Sequence, residues 1–354
     1  IIDVLKIFSN KVVENLEYES YGLTGNHCFN NARALYFASD SLQSHALRKF
    51  SIAIMKERLP KLISNSGLMQ EGSSHYHFLF TRWVLELIWV ANSINDQEAV
   101  SLLNHPAKKL IERCWFFLVY DKKVEDWVMP LIGDISPDCS PQWLISLPWS
   151  ILACNLYQPK SLPKPPKHIG WSSLFGGIKV HFHENNYILD SNFSSDCGWH
   201  RIEIAGWTLF TYTVLDSGHL KASHAHLDLC GFVLYYEGVP VLIDTGRFDY
   251  TNSLISNYGR LGYGHNSLFI DGFSPQGEKK FWMNPLYNKI SNKVRIEKEL
   301  NSINVSISHN GFERIFRKKI VHQRHIILTK VSVEISDIIN GKGTVDVQNF
   351  FHFG

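Results

Sequence analysis

SLPKPPKHIG, residues 161–170, divides this chain into two halves with different hydrophobic periods. Its three prolines make it read as a linker. Upstream, SLQSHALRKFSIAIMKERLPKLI (41–63), SHYHFLFTRWVLELIWVANSI (74–94) and EAVSLLNHPAKKLIERCWFFLVY (98–120) place apolar residues three and four apart, the period of an amphipathic helix. Ser-Asn-Ser-Gly at 64–67 and Asn-Asp at 95–96 punctuate them. Serial helices with short loops predict hairpins stacked into a bundle or toroid. Downstream the period becomes two. WHRIEIAGWTLFTYTVL (199–215), GFVLYYEGVPVLID (231–244), HNSLFIDG (265–272), NKVRIEKELNSINVSISH (292–309) and KIVHQRHIILTKVSVEISDII (319–339) are rich in β-branched and aromatic residues and are separated by Gly, Asn and Asp turns. Strands without intervening helices predict an antiparallel sandwich. The fold class is therefore α+β and multidomain: a helical domain over 1–158, a linker over 159–175 and an antiparallel β-sandwich over 176–354.

With 354 residues and 45% hydrophobic content, the chain has material for two domains with full cores. A net charge of +2 carries no global signal for nucleic acid, although a local basic cleft could hold an acidic polymer. The 10 Trp, 14 Tyr and 22 Phe suit either sugar stacking or large cores. Cysteines 28, 114, 139, 154, 197 and 230 form no CxxC pair and read as mostly free, buried thiols. The chain starts at Ile1 without a methionine or leader and stops on the strand-like FFHFG, so it reads as a trimmed piece whose sandwich is cut short. The apolar run after Arg82 is interrupted by Glu86 and is too short to span a bilayer. Oligomeric state has no sequence signal.

Four groups carry candidate chemistry. The first is Ser223-His224-Ala225-His226-Leu227-Asp228, with Asp244 in VLIDTG and His265 in GHNS. Histidines two apart on an extended strand face one side, and His with Asp suits a metal or proton transfer. The bland alternative is a polar strand start and a strand-ending Asp. A two-residue turn at Glu237-Gly238 would pair Gly231 with Asp244, so bringing His226 to Asp244 requires a bulge, a longer connection or another strand pairing. The second is Asn26-His27, followed by Asn30, Asn31 and Arg33 at a helix start; Asn26 is either an N-cap or part of an anion site. The third is EGSSHYH (71–77), which puts His75, Tyr76 and His77 in a first helical turn, where the tyrosine either packs or shuttles protons. The fourth is the Gly-rich stretch from Arg247 to His265, read as a long loop, in which Arg260 could grip a carboxylate and Tyr250, Tyr258 and Tyr263 lie nearby.

Taken in order, NHxxxN (26–31), EGSSHYH (71–77), HAHLD (224–228), VLIDTG (241–246) and GHNSLFIDG (264–272) resemble the heparinase II/III family of polysaccharide lyases, which includes alginate and oligoalginate lyases. The resemblance implies an (α/α) toroid, incomplete here, followed by an antiparallel β-sandwich. It implies β-elimination on a uronic-acid-containing anionic polysaccharide, and a periplasmic or secreted location. Asn26 and His27 would neutralise the uronate carboxylate, and Tyr76 and His224 would be the acid and base. His226, Asp244 and His265 would hold a structural zinc ion; the eighteen residues from 226 to 244 match the spacing of the family's ligands. Asn30, Arg33, His75, Arg260 and Tyr263 would line the substrate. Some relatives carry a glutamate where this chain has Asn30. A uronyl C5-epimerase fits the same residues, and a non-catalytic glycan-binding protein is the alternative of another class. The polymer itself is unassigned.

Overall fold

The computed structural model describes residues 1–19, 25–152, 163–171, 192–194, 196–213, 224–226, 228–247, 249–251, 253–275 and 290–354. Residues 159–162 and 172–175 of the expected linker, the first residues of the expected sandwich (176–191), Cys154, and Ser223 and Leu227 of the His-Ala-His run lie outside the described residues. The chain divides into two units: residues 1–71, 76–115 and 142–187 form the first, and residues 72–75, 116–141 and 188–354 form the second. A single boundary at 159–175 would leave 72–75 and 116–141 with the helices, yet these segments contact the sheets.

The first unit is helical: α1 (Ile2–Glu14), α2 (Asn26–Ser41), α3 (His45–Leu62), most of α4 (Ser74–Ser93), and α5 (Gln97–Phe117) up to Trp115. In α2 the buried residues Cys28, Phe29, Ala32, Leu35 and Tyr36 fall on one face, which is the 3.6-residue period made physical. Ser44 caps α3 by accepting from the Leu47 amide at 3.3 Å. The expected helix over 98–120 ends at Phe117, because Val119–Asp121 (β1) pairs with Asp126–Val128 (β2) in a hairpin. No described helix is long and apolar enough to cross a membrane.

The second unit holds antiparallel sheets. One has five strands in sequence order: β3 (Asn192–Ser194), β4 (Trp199–Ile204), β5 (Trp207–Tyr212), β6 (Phe232–Tyr236) and β7 (Val239–Leu242). Another orders β12 (Val333–Gly341), β11 (Ile320–Thr329), β10 (Ser302–His309) and β9 (Asn292–Lys298). A two-stranded sheet joins β8 (Leu268–Ile270) to β13 (Val347–Asn349). Burial alternates strictly along β10 and β11, as period-two patterning requires. Ile202, Leu209, Phe232, Leu234 and Leu242 of the five-stranded sheet share one core with Ile303, Val305, Ile307, Ile326 and Leu328 of the four-stranded one. Each such side chain contributes about 1.5–3 kcal/mol on burial.

The β6–β7 turn is the two-residue Glu237-Gly238, with φ of 50° and 86°, the signature of a type I′ hairpin. A Cβ at Gly238 would lie 1.8 Å from the Tyr120 carbonyl oxygen, so only glycine fits. The register then shifts between Leu234 and Tyr235. That bulge carries the β7 side one place further from His226 than an unbroken hairpin would, so it does not itself bring Asp244 to His226. His226 lies in the segment before β6, where the Gly231 N–H donates to the Asp228 carbonyl at 2.6 Å in a turn.

Candidate active site and metal centre

Two consecutive residues at the start of α2 part company. Gly25 is the N-cap, so Asn26 is not. Asn26 is buried; its amide N–H donates to Glu71 Oε1 at 3.0 Å and its side-chain Nδ2 donates to Glu71 Oε2. Glu71, itself buried, supplies the carboxylate that a helix N-terminus favours and orients the Asn26 amide. His27 instead points outward, with Nδ1 2.9 Å from Glu17 Oε1. The structure thus separates the expected Asn26–His27 pair, because neighbours on a helix face different directions. Asn30 and Arg33 are engaged within the helical unit: Arg33 Nε donates to Asn30 Oδ1 at 3.0 Å and its Nη1 pairs with Glu86.

Tyr76 sits in the first turn of α4, as expected, and is buried. Its flanking histidines are structural. His75, in the second unit, donates through Nε2 to the Cys139 carbonyl at 2.8 Å and accepts from the Ser136 N–H at 3.3 Å through Nδ1. His77 is held by the Met69 N–H at 3.3 Å and the Leu110 carbonyl at 3.0 Å. Burial lowers the His77 imidazole to about 3, so it is neutral. Both ring nitrogens of His75 therefore hydrogen-bond to backbone groups.

In the second unit His224, His226, Asp244 and His265 are gathered as expected, and the gathering uses Asp134, which sequence reasoning missed. His224 Nδ1 lies 3.0 Å from Asp134 Oδ2, and His226 Nε2 lies 2.9 Å from Asp134 Oδ1. These two imidazoles hold the buried Asp134 carboxyl well below the ordinary carboxylate range, against the opposing effect of burial. Gly133 makes the approach feasible: at φ +81°, a Cβ there would lie 2.7 Å from the His224 carbonyl oxygen and 2.6 Å from that of Gly72.

His265 is fully buried, and its Nδ1 donates to Asp244 Oδ2 at 2.8 Å, while Asp244 Oδ1 accepts the Gly246 N–H at 2.8 Å. The His226 and His265 rings are 4.8 Å apart. Ligand atoms of His226, Asp244 and His265 all lie within 4.8 Å of one another. His226 Nδ1 and His265 Nε2 are buried and have no hydrogen-bond partner. Each ring has its other nitrogen on a carboxylate, the outer-shell arrangement of metal-ligating histidines. Burial lowers the His265 imidazole, but the Asp244 and Asp228 carboxylates outweigh it and raise it to about 9. The pocket therefore calls for a positive charge, and its two orphaned nitrogens and carboxylate fit a metal ion.

The stretch from 247 to 265 is not wholly loop. It contains α6 (Leu254–Arg260), capped by Ser253. Arg260 closes that helix; burial and then the Arg247 charge hold its guanidinium lower than usual, with Asp134 opposing. Arg247, also missed from sequence, places Nη1 3.5 Å from Asp134 Oδ1 and stacks over Tyr250 at 4.8 Å. Tyr263 packs on Phe269 with ring centroids 4.3 Å apart and donates its hydroxyl to the Gly272 carbonyl at 3.4 Å.

Residues 189–354 match the family described as Heparinase II/III-like, C-terminal. Over those residues the chain is similar to that family. His224, His226, Asp244 and His265 all fall inside the matched residues, whereas Asp134 bonds to His224 and His226 from outside them. No curated protein matches the sequence. Solved structures share the fold. Heparan sulfate lyase HepC from Pedobacter heparinus aligns over 97% of this chain and 49% of its own, with a TM-score of 0.61 at 15% identity. A heparinase III aligns over 96% of this chain and 50% of its own, with a TM-score of 0.66 at 16% identity. The chain spans about half the length of these structures.

A second cluster, Cys230, His309 and His322, also sits in the second unit with metal-compatible atoms close together. His309 and His322 are directly opposed on β10 and β11. Nothing in their sequence spacing announced them.

Proposed function

We propose that this chain is part of a polysaccharide lyase that cleaves a uronic-acid-containing anionic polysaccharide by β-elimination, built as an incomplete (α/α) toroid followed by an antiparallel β-sandwich. The single observation that carries the reading is the pairing, on Asp134, of His224 with His226 of the metal-fit set, both histidines lying in the residues that match the heparinase II/III-like C-terminal family. The lyase names of the two structural neighbours support it.

The C5 proton of a uronate lies α to a carboxylate, and removing it builds charge on that group. Asn26, oriented by Glu71, donates to the carboxylate and lets the charge spread into an enediolate-like form. One such donor is worth about 3–4 kcal/mol. His27, exposed and in contact with Glu17, is assigned to the same carboxylate from the outer face of α2. Tyr76 or His224 takes the C5 proton according to which face carries it, and Tyr76 returns a proton to O4 as the C4–O4 bond breaks and the C4–C5 double bond forms. The products are an unsaturated uronyl end and a shortened chain. Arg260 and Tyr263 are assigned to the substrate, whereas Asn30, Arg33 and His75 serve to hold their own segments. Zinc bound by His226, Asp244 and His265 supplies a fixed charge that keeps that part of the domain in shape.

The test is a panel of uronate polymers incubated with the protein while the ultraviolet absorbance of the unsaturated product is followed. Tyr76→Phe and His224→Ala are each expected to lower the rate by roughly 10²–10⁴-fold. A protein that degrades none of the panel, with variants that bind glycan as the wild type does, sinks the reading. Solvent deuterium entering C5 without cleavage converts it to an epimerase.

A further inference from the structure

Asp134 is ninety residues from His224 in sequence, is 4% exposed, and is pinned through its backbone. Its N–H donates to the His224 carbonyl at 2.9 Å, its own carbonyl accepts the Ser73 hydroxyl at 2.7 Å, and the next amide, of Ile135, donates to the Arg247 carbonyl at 2.7 Å. With the backbone held on these sides, the carboxylate has a fixed direction. Its two oxygens serve two rings through opposite nitrogens, Nδ1 of His224 and Nε2 of His226.

An ionised carboxylate only accepts hydrogen bonds, so each of those nitrogens carries the hydrogen. In a neutral imidazole the lone pair then sits on the other nitrogen. For His226 that is Nδ1, the buried atom without a partner beside Asp244 and His265. For His224 it is Nε2. We propose that Asp134 is a positioning residue shared by two histidines of different duty, selecting with one oxygen the tautomer that makes His224 Nε2 the proton-exchanging atom and with the other the tautomer that aims His226 Nδ1 at a metal. The His224 half rests on the function proposed above; the His226 half stands on the metal-fit geometry alone. Coupling the two rings through one carboxylate explains why an acid/base residue and a metal ligand are only two residues apart: a shift of either ring changes the acceptor available to the other.

Asp134→Asn tests this with little change of shape, since the amide keeps one acceptor and turns the other oxygen into a donor. Three readouts are taken on the whole chain. Histidine-selective ¹⁵N NMR of the wild type is expected to show His224 as the Nδ1–H and His226 as the Nε2–H tautomer, with at least one switched in the variant. Zinc affinity, measured by competition with a chromophoric chelator, is expected to fall about 10–100-fold. On a uronate substrate, kcat is expected to fall with KM nearly unchanged, because an orienting group acts on the transition state more than on binding. Asp134→Ala, checked for folding by circular dichroism, should repeat the zinc loss; if it does not fold, the wild-type tautomers and the Asn variant decide. A wild-type His224 in the Nε2–H form, or a folded Asn variant with unchanged tautomers and zinc affinity, overturns the proposal. Wild-type protein that takes up no zinc overturns its metal half. Inactivity of the wild type on every uronate polymer defeats the proposed function but leaves the tautomer and zinc results to judge Asp134.

Discussion

The His226–Asp244–His265 cluster and the Cys230–His309–His322 cluster lie in the same unit and offer similar donor atoms, yet their hydrogen bonding is opposite. In the first, two buried imidazole nitrogens have no partner. In the second, every imidazole nitrogen is used. The Gly311 N–H donates to His309 Nδ1 at 3.1 Å, which places the His309 proton on Nε2. Nε2 donates to His322 Nδ1 at 3.0 Å, and His322 Nε2 donates to Asp337 Oδ1 at 2.7 Å. Arg324 closes the chain, with Nε and Nη2 on the two Asp337 oxygens at 2.8 and 3.0 Å. A metal on His309 Nε2 would displace the shared proton and leave Nδ1, now protonated, facing the Gly311 N–H. Proximity of ligand-type atoms is therefore a poor guide by itself; the number left unsatisfied separates a metal pocket from a proton-satisfied core network.

The largest effect that would break this contrast concerns metal content. His226→Ala and His265→Ala are each expected to abolish stoichiometric zinc, read by elemental analysis of purified protein. His322→Ala is expected to leave zinc unchanged while destabilising the fold by about 2–4 kcal/mol, since it strips partners from His309 and Asp337. Chelating the wild type should remove roughly 4 kcal/mol at a metal excess of about a thousandfold over Kd, a fall of several degrees in the melting midpoint. Zinc lost from the His322 variant instead would move the metal to the second cluster.

Next in size is Asp337→Ala, which leaves the fully buried Arg324 uncompensated and is expected to cost about 3–5 kcal/mol in urea unfolding, with zinc retained. The same network sets a pH dependence. Burial, with neighbouring positive groups, holds His309 well below its ordinary value, and burial likewise lowers His322. Unfolded histidine takes a proton near pH 6.5, so below that pH the unfolded state binds more protons and stability falls as the pH drops. Burial raises Asp337, but His322 and Arg324 outweigh it and depress the carboxyl, adding a loss that begins near pH 4 and deepens toward lower pH. Unfolding free energies measured from pH 8 to pH 3 should show this fall in the wild type and a shallower one in Asp337→Asn. The smallest expected effect is Cys230→Ala. Burial pushes that thiol up to about 12, so it is a protonated packing group, and its loss should cost about 1 kcal/mol with no change in zinc.

Much of the fold was legible because periodicity is a local record of burial. The alternation in 302–309 and 320–329 names the core-facing residues of β10 and β11 directly. The two-residue turn considered at Glu237-Gly238 is the one formed, but the bulge beyond it shifts Asp244 away from His226, so the approach of the two residues was not legible in the hairpin's spacing. The helix expected through 118–120 failed because Val119 and Tyr120 are β-compatible residues whose state is settled by pairing with Val128 and Trp127. The expected long loop before His265 hid α6, a helix too short to show a period of its own.

For the site, the sequence by itself determined which chemistry was at hand: His224, His226, Asp244, His265, Tyr76 and Asn26, in an order that a family resemblance could recognise. Only the tertiary structure decided what each partner does. It put Asn26 on Glu71 and His27 on Glu17, spent Arg33 on Glu86, fixed the ring of His75 between backbone groups, and brought Asp134 to both histidines of the His-Ala-His run. The physical reason is range. A side chain's type and its face on a helix or strand are written within a few residues, but hydrogen-bond satisfaction in a buried site is set by whichever distant segment folds against it.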